Sequence, residues 1–275
     1  MISKTSLAQH IRHKVTIENV IDELPESTRR HVRTLEFRNP FTHEPRPGQF
    51  VMVWLPGVDE IPLAISRIGD LLAITVYAVG DCSKKIAALE KGASLGVRGP
   101  LGRGFTPPKE GERVLMVSGG TGAASLLPLA ESVRRKNPVV FVLGARTRTE
   151  LIFRKRLESI CDLRICTDDG SEGFKGFASE YADKILHTER FNRAYACGPE
   201  AMMKQVMVSA KNTVTPAEGS LDRYIKCAMG ICDACAIGHL HVCTDGPVFD
   251  RDTLLSIPEF GVSRLSQSGL REKIP

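Results

Sequence analysis

Over the first hundred residues, apolar and polar positions alternate in short runs: HKVTIENVI (13–21), HVRTLEF (31–37), GQFVMVWL (48–55), LLAITVYAV (71–79) and ASLGVRG (93–99). Pro, Gly, Asn or Asp bounds each run, and a period of two with such punctuation predicts an antiparallel barrel. A helix is expected over Ser83–Glu90, between the last two strands. The pattern changes at Lys109-Glu110-Gly111-Glu112. RVLMVSGG (113–120) and PVVFVLGA (138–145) are continuous apolar runs. They alternate with the helical patterns TGAASLLPLAESVRRK (121–136) and TELIFRKRLESI (149–160). DLRICTDD (162–169), then FNRAYACGP (191–199) with PEAMMKQVMVSA (199–210), continue the alternation, which predicts a parallel sheet of βαβ units. From about Ser220 the chain is too short for a large core and too rich in Cys and Gly for regular structure, so a bound metal would have to organise it.

Four cysteines in that last segment define its chemistry. Cys227, Cys232, Cys235 and Cys243 lie in CAMGICDACAIGHLHVC, the first three spaced C-x4-C-x2-C. Plant-type ferredoxins wrap a loop around a [2Fe–2S] cluster with that spacing, because four soft thiolates complete two tetrahedral irons. A four-cysteine zinc site and paired disulfides are the alternatives, although structural zinc usually shows two separated C-x2-C knuckles. Seven residues between Cys235 and Cys243 can span roughly 20 Å when extended, enough for ligation. The expected architecture is multidomain, β plus α/β: an antiparallel barrel over 1–108, a Rossmann-like parallel sheet over 109–218, and a small [2Fe–2S] lobe with a tail over 219–275.

The chain has 275 residues, 42% hydrophobic and 25% charged, with a net charge of +5. The start lacks the apolar core of a secretory leader, and no run approaches the eighteen or so apolar residues of a membrane span. The expectation is a cytoplasmic protein, where clustered cysteines read as metal ligands. Basic groups at Arg29–Arg30, Arg134–Lys136 and Arg154–Arg156 are not interleaved with aromatics, and aromatic content is 6%, which argues against nucleic-acid binding. Cys82, Cys161, Cys166 and Cys197 are dispersed and read as small buried residues.

Glycine-rich turns mark candidate cofactor sites. Ser118-Gly119-Gly120-Thr121-Gly122 joins a strand to a helix at the first βα junction, where pyrophosphate meets backbone N–H groups and a helix N-terminus. Tight strand–helix turns use glycine in any case. Cys197-Gly198-Pro199 ends a later strand and is either a helix cap or a small soft wall beside a nicotinamide ring. Thr167-Asp168 begins a turn that can also hydrogen-bond a ribose. Ser83 reads as the N-cap of the barrel helix, whose N-terminus suits a phosphate. Gly99–Phe105, GPLGRGF, reads as an interdomain connector. Arg146 and Arg148 are positioned to meet a 2′-phosphate or to lie free on the surface.

Together, PGQF (47–50), GPLGRGF (99–105), SGGTGAASLLPLA (118–130), TDDGSEGFKGF (167–177), ACGPEAMM (196–203), SLDRYIKCAMGICDAC (220–235) and VCTDGPVF (242–249) resemble the ferredoxin-reductase-like flavoproteins. Within them they most resemble the electron transfer subunits of NAD-dependent dihydroorotate dehydrogenases. The resemblance implies that the barrel binds FAD, the central domain NAD(H), and the four cysteines the [2Fe–2S] cluster. It places FAD contacts at Pro62, Leu63, Ala64, Ile65, Ser66, Thr75, Val76, Tyr77, Cys82 and Ser83. The candidate nicotinamide-nucleotide contacts are those of the turns read above: Gly119, Gly120, Thr121, Gly122, Thr167, Asp168, Cys197, Gly198 and Pro199. An Arg-Pro-x-Ser segment common in the family reads Ile61-Pro62-Leu63-Ala64 here, with Ser66 and Arg67 as shifted substitutes. The implied activity is NAD(H)-linked electron transfer in pyrimidine biosynthesis, with no general acid or base in this chain. The implied partner is an FMN-containing dihydroorotate-oxidising subunit, in a heterotetramer of two plus two. The nearest alternative is the diaphorase subunit of a sulfur reductase, hydrogenase or ferredoxin–NADP oxidoreductase. A zinc-stabilised binding module is the alternative outside enzymes.

Overall fold

The computed structural model describes residues 8–25, 28 and 30–274. The first seven residues of the stretch read for a leader, and Arg29 of the first basic pair, lie outside the described residues. Six antiparallel strands close a barrel in the order β1-β2-β5-β4-β3-β6. They are β1 (His13–Asp22), β2 (Val32–Arg38), β3 (Phe50–Leu55), β4 (Asp59–Arg67), β5 (Leu71–Tyr77) and β6 (Ser94–Leu101). The alternation read in the sequence is the inside–outside alternation of the wall. Leu35, Phe37, Val51, Val53, Ile65, Leu72, Ile74, Val76, Leu95 and Val97 fill the interior. Neighbours of opposite parity, Thr34, Met52, Pro62, Ala64, Ser66 and Thr75, take the outer face.

β4 was not anticipated as a strand, because Pro62 and the short Ile-Pro-Leu-Ala-Ile run hide its period. The expected helix at Ser83–Glu90 lies earlier, as α1 (Asp81–Ala87), with Gly80 as N-cap. Ser83 is therefore not the cap: its Oγ accepts from the N–H groups of Val79 and Gly80, both at 3.0 Å, from the third helical position.

The second domain holds β7 (Val114–Gly119), α2 (Ala123–Val133), β8 (Val139–Ala145), α3 (Arg154–Glu158), β9 (Asp162–Thr167), β10 (Phe174–Lys175), α4 (Ala178–Thr188), β11 (Arg193–Cys197) and α5 (Glu200–Asn212). With β12 (Ala217–Ser220) and β15 (Val248–Asp250) from the last segment, the sheet order is β10-β9-β8-β7-β11-β12-β15, parallel except at its last strand. The helix expected over 149–160 contracts to α3, because Phe153 turns left-handed with φ 58° just before it. α4 was not foreseen. Its apolar face, Ala178, Ala182, Ile185 and Leu186, is spaced for a helix but interrupted by charges.

β12 (Ala217–Ser220) and β15 (Val248–Asp250) lie on either side of the cysteine loop, and they pair with each other. The last segment is thus woven into the sheet, more regular than its composition suggested. It adds β13 (Ala236–Ile237), β14 (Leu240–His241), α6 (Arg251–Ser256), β16 (Ser263–Leu265) and β17 (Arg271–Lys273). One core runs from the barrel (Phe50, Met52, Leu101) through one face of the sheet to Ala228, Cys235, Ile237 and Cys243 of the loop. The GPLGRGF connector docks there too: Arg103 N–H donates to the Gly246 carbonyl, and a Cβ on Gly102 would stand 2.5 Å from Pro247 Cδ. Among the described residues no helix is long and apolar enough to cross a membrane.

Candidate functional site

In the parallel sheet, connections run one way from β7 to β8 and the other way to β11, so the switch point lies between β7 and β11. Open α/β sheets bind ligands outside the carboxyl ends at such a point. The structure brings the predicted glycine turn and Cys197-Gly198-Pro199 together there, with Ser118 paired to Cys197 across the two strands. The contact is close enough to demand glycine. A Cβ on Gly119 would stand 2.8 Å from Pro199 Cδ, and one on Gly198 2.8 Å from Gly119 N. Gly120 opens the turn at φ +55° with nothing near its missing Cβ, leaving its backbone accessible. Burial pushes the Cys197 thiol up to about 11, against hydrogen bonds with Ser125 and Ser220. It is a neutral, small wall.

Thr167 and Asp168 lie two strands away, at the end of β9. Thr167 Oγ1 is spent inside its own turn, donating to the Glu172 carbonyl at 2.7 Å, so the neighbouring Asp168 is the freer group. Burial raises the Asp168 carboxyl, and Arg146 opposes the rise. Arg146 and Arg148 are exposed at the end of β8. A hollow of about 610 Å³ between Leu186–Asn192 and Thr213–Thr215 lies at the opposite, amino ends of the strands.

The outer barrel face forms the second surface. α2 packs against β4, so this face looks towards the glycine turn. Pro62, Ala64, Ser66, Thr75 and Tyr77 lie on it, whereas Leu63, Ile65, Val76 and Cys82 turn into the barrel core and offer only backbone outward. Ser66, Thr75, Thr34 and Glu23 form one chain of hydrogen bonds across three strands. Thr75 Oγ1 lies 2.8 Å from Ser66 Oγ and 2.9 Å from Thr34 Oγ1, and Thr34 Oγ1 donates to Glu23 Oε1 at 2.6 Å. Arg67, the substitute cation expected from sequence, is already engaged by the buried Glu36 at 2.5 Å. A different cation faces the domain seam. Arg30 lies over the Tyr77 ring at 5.4 Å and pairs with Glu150 at 3.2 Å, beside a hollow that Gly120 and Thr121 also line.

The cysteine loop is the third surface. Ala228, Gly230 and Asp233 take φ of 56°, 74° and 55°, and these left-handed turns curl the chain. The thiols stand in two pairs, Cys227 with Cys232 and Cys235 with Cys243, each pair within mutual hydrogen-bonding reach. Among the described residues no three His, Cys, Asp or Glu side chains converge on a single-ion site. Two thiolates for each of two irons is what a binuclear cluster takes. Burial works against the Cys227 thiolate, but N–H groups of Met229 and Ile231 hold its pKa below the ordinary value, Met229 N at 3.4 Å from Sγ. Such N–H···S contacts stabilise a thiolate ligand. Cys235 and Cys243 are buried and Cys232 is exposed. Of the apolar loop residues, Ile237 is core, Ala234 half-buried and Ile231 74% exposed.

Sequence reasoning named Ser66 and Thr75 but missed their partners Thr34 and Glu23, and it missed Arg98, Glu60 and the place of Arg30 at the domain seam. It also missed the buried Glu200–Arg223 pair (2.8 Å), which ties the start of α5 to the residues before Cys227. The only available signal for most of these was a polar residue at an outer-face parity of a barrel strand.

Comparison with known proteins agrees with this geometry. A family model described as the iron–sulfur cluster binding domain of dihydroorotate dehydrogenase B matches residues 222–255, and one described as an oxidoreductase NAD-binding domain matches 116–207. A protein of Thermoplasma acidophilum named probable dihydroorotate dehydrogenase B (NAD(+)), electron transfer subunit, is 44% identical over 94% of this chain and 97% of its own length. Its namesake in Methanocaldococcus jannaschii is 42% identical over 92% and 95%. The solved NADH-dependent reduced ferredoxin–NADP oxidoreductase superposes with a TM-score of 0.76 at 29% identity, covering 89% of this chain and 92% of that one. A ferredoxin NADP+ reductase from Neisseria gonorrhoeae shares the fold at 20% identity, with a TM-score of 0.62 over 74% and 91%. With this identity across nearly the whole of both chains, the protein belongs to the family of dihydroorotate dehydrogenase B (NAD(+)) electron transfer subunits.

Proposed function

We propose that this chain relays electrons from an iron–sulfur group at Cys227, Cys232, Cys235 and Cys243, through FAD on the outer barrel face, to NAD+ at the switch point. A separate FMN-containing subunit oxidises dihydroorotate and supplies the electrons, in a complex of two plus two in the cytoplasm. The observation that carries the reading is the docking of the four-thiol loop on the barrel wall, through the core shared by Met52, Ala228 and Cys235. It puts the thiols beside the face that looks towards the glycine turn.

An iron–sulfur cluster passes single electrons, a nicotinamide accepts a hydride, and a flavin exchanges in both forms. This chain's residues bind and orient. The four thiols hold the cluster, a [2Fe–2S] by their pairing. Pro62, Ala64 and Ser66 on β4, with Thr75 and Tyr77 on β5, offer a flat surface with hydroxyls at its edge. Cys82 and Ser83 border it at α1, and the backbone of Leu63, Ile65 and Val76 completes the strands. Gly119, Gly120, Thr121 and Gly122 leave backbone N–H groups open to a pyrophosphate. Gly198 and Pro199 close the other side, Cys197 presents an uncharged wall to a ring, and Thr167 and Asp168 stand where a ribose would lie. Ile231, exposed beside Cys232, belongs to the face that meets the catalytic subunit.

The test is cofactor analysis of anaerobically purified protein. The reading expects about two irons, two labile sulfides and one FAD per chain. Stoichiometric zinc without iron, or FMN alone, overturns it.

A further inference from the structure

Arg98 is a buried cation in the wall of the barrel, 6% exposed, at a position where β6 faces the cysteine loop. A buried guanidinium persists only when its donors are matched. Nε and Nη2 form a fork on Glu60, at 3.0 Å to Oε1 and 2.7 Å to Oε2. Nη1 lies 3.2 Å from His10 Nδ1, and Nη2 also donates to the Cys227 carbonyl at 3.2 Å. Arg12 reaches the same Glu60 oxygen from outside, at 3.1 Å. Two guanidiniums on one carboxylate leave a net single positive charge beside the first cysteine of the loop. Burial favours a neutral Glu60, but the two arginines hold its carboxyl below the ordinary range, and burial beside Arg98 lowers His10. The group therefore keeps its positive sign at neutral pH.

Strand register connects this group to the proposed flavin surface. Arg98 pairs with Met52 on β3, and Met52 pairs with Pro62 on β4. Arg98, Met52 and Pro62 thus form one row across the outer face, two strand spacings or about 10 Å long. One end grips the cysteine loop and the other is the β4 surface.

We propose that Arg98, held by Glu60, is a positioning residue that docks the Cys227 loop on the barrel and sets the reduction potential of the group those cysteines hold. The inference rests on the iron–sulfur reading of the loop. A fixed positive charge near a cluster favours its reduced form, since net charge and hydrogen bonding are the protein's levers on potential. A residue that merely fastened the loop would leave the potential where it is.

The experiment is a redox titration of the full holoprotein, followed by the electron paramagnetic resonance signal of the reduced cluster. Arg98→Gln is expected to shift the potential to more negative values and Glu60→Gln to more positive ones. Arg98→Lys, which keeps the charge, is expected to stay near wild type. Iron content should be unchanged in Glu60→Gln and Arg98→Lys. If the iron-replete Arg98→Gln protein titrates with wild type, the proposal is wrong. If Arg98→Gln loses its cluster, Glu60→Gln decides: a positive shift supports the proposal and an unshifted potential overturns it. Absence of iron from the wild-type protein would instead strike at the cysteine reading itself.

Discussion

Gly122 faces the carbonyl of Cys197 so closely that any Cβ at position 122 would overlap that oxygen. The two residues come from the motifs at the ends of β7 and β11, and their contact closes the switch point. Gly122→Ala is therefore expected to lose about 1–3 kcal/mol of stability through overpacking, and to weaken NADH binding. Gly120→Ala meets no neighbour but adopts the left-handed φ of +55°, a cost of about 1–2 kcal/mol. Thermal unfolding together with NADH titration separates the two. Equal tolerance of both substitutions would mean that the turn is looser than described.

Ala64 tests the flavin face. It lies opposite Phe50 on the barrel exterior, with a side chain too small to fill the surface. Ala64→Phe should yield protein that keeps its iron but releases its FAD, as read by absorbance and by chromatography of the released cofactor. Retention of both would move the flavin elsewhere.

The cysteines divide by environment. Cys232→Ser should lose iron and sulfide together, because each iron needs two thiolates. Cys161 is half-buried far from the loop, and burial pushes its thiol up to about 12, so Cys161→Ser should retain both. Iron and sulfide assays on the two variants check this.

Glu189 provides the pH-dependent case. Hydrogen bonds from Arg164 and Arg113 hold its carboxyl down at about 2, against an ordinary 4.5. A depressed carboxylate stabilises the fold fully above the ordinary value and loses that contribution as pH falls towards 2. Glu189→Gln should thus cost about 1 kcal/mol at neutral pH, after allowance for solvent screening of a partly exposed group. The gap from wild type should narrow steadily below pH 4.5. Denaturant midpoints across that range measure it, and a constant gap would assign the effect to packing.

Much of this was legible in the chain because its signals are local. Five of the six barrel strands kept a period of two, the glycine turns marked strand ends, and C-x4-C-x2-C marked the curled cysteine loop. What stayed hidden depends on which strands become neighbours. Arg98, Glu60 and Cys227 are remote in sequence and meet only when β6 and the loop share a core. The segment after Ser220 read as irregular because its strands, β13 to β17, are only two or three residues long, and β15 pairs at the edge of a sheet built by other residues. Ser83 looked like a helix cap, but its hydroxyl reaches back from the third helical position to the N–H groups of Val79 and Gly80, so the helix starts three residues earlier.

Reconstitution of electron transfer with the catalytic subunit tests the relay most directly. The isolated holoprotein should reduce artificial acceptors with NADH and show no dihydroorotate oxidation. Adding the cognate FMN subunit should produce dihydroorotate-dependent NAD+ reduction, and Cys232→Ser should abolish it. Failure of the reconstituted pair with dihydroorotate, while this chain binds a sulfur- or hydrogen-metabolising subunit instead, would contradict the account.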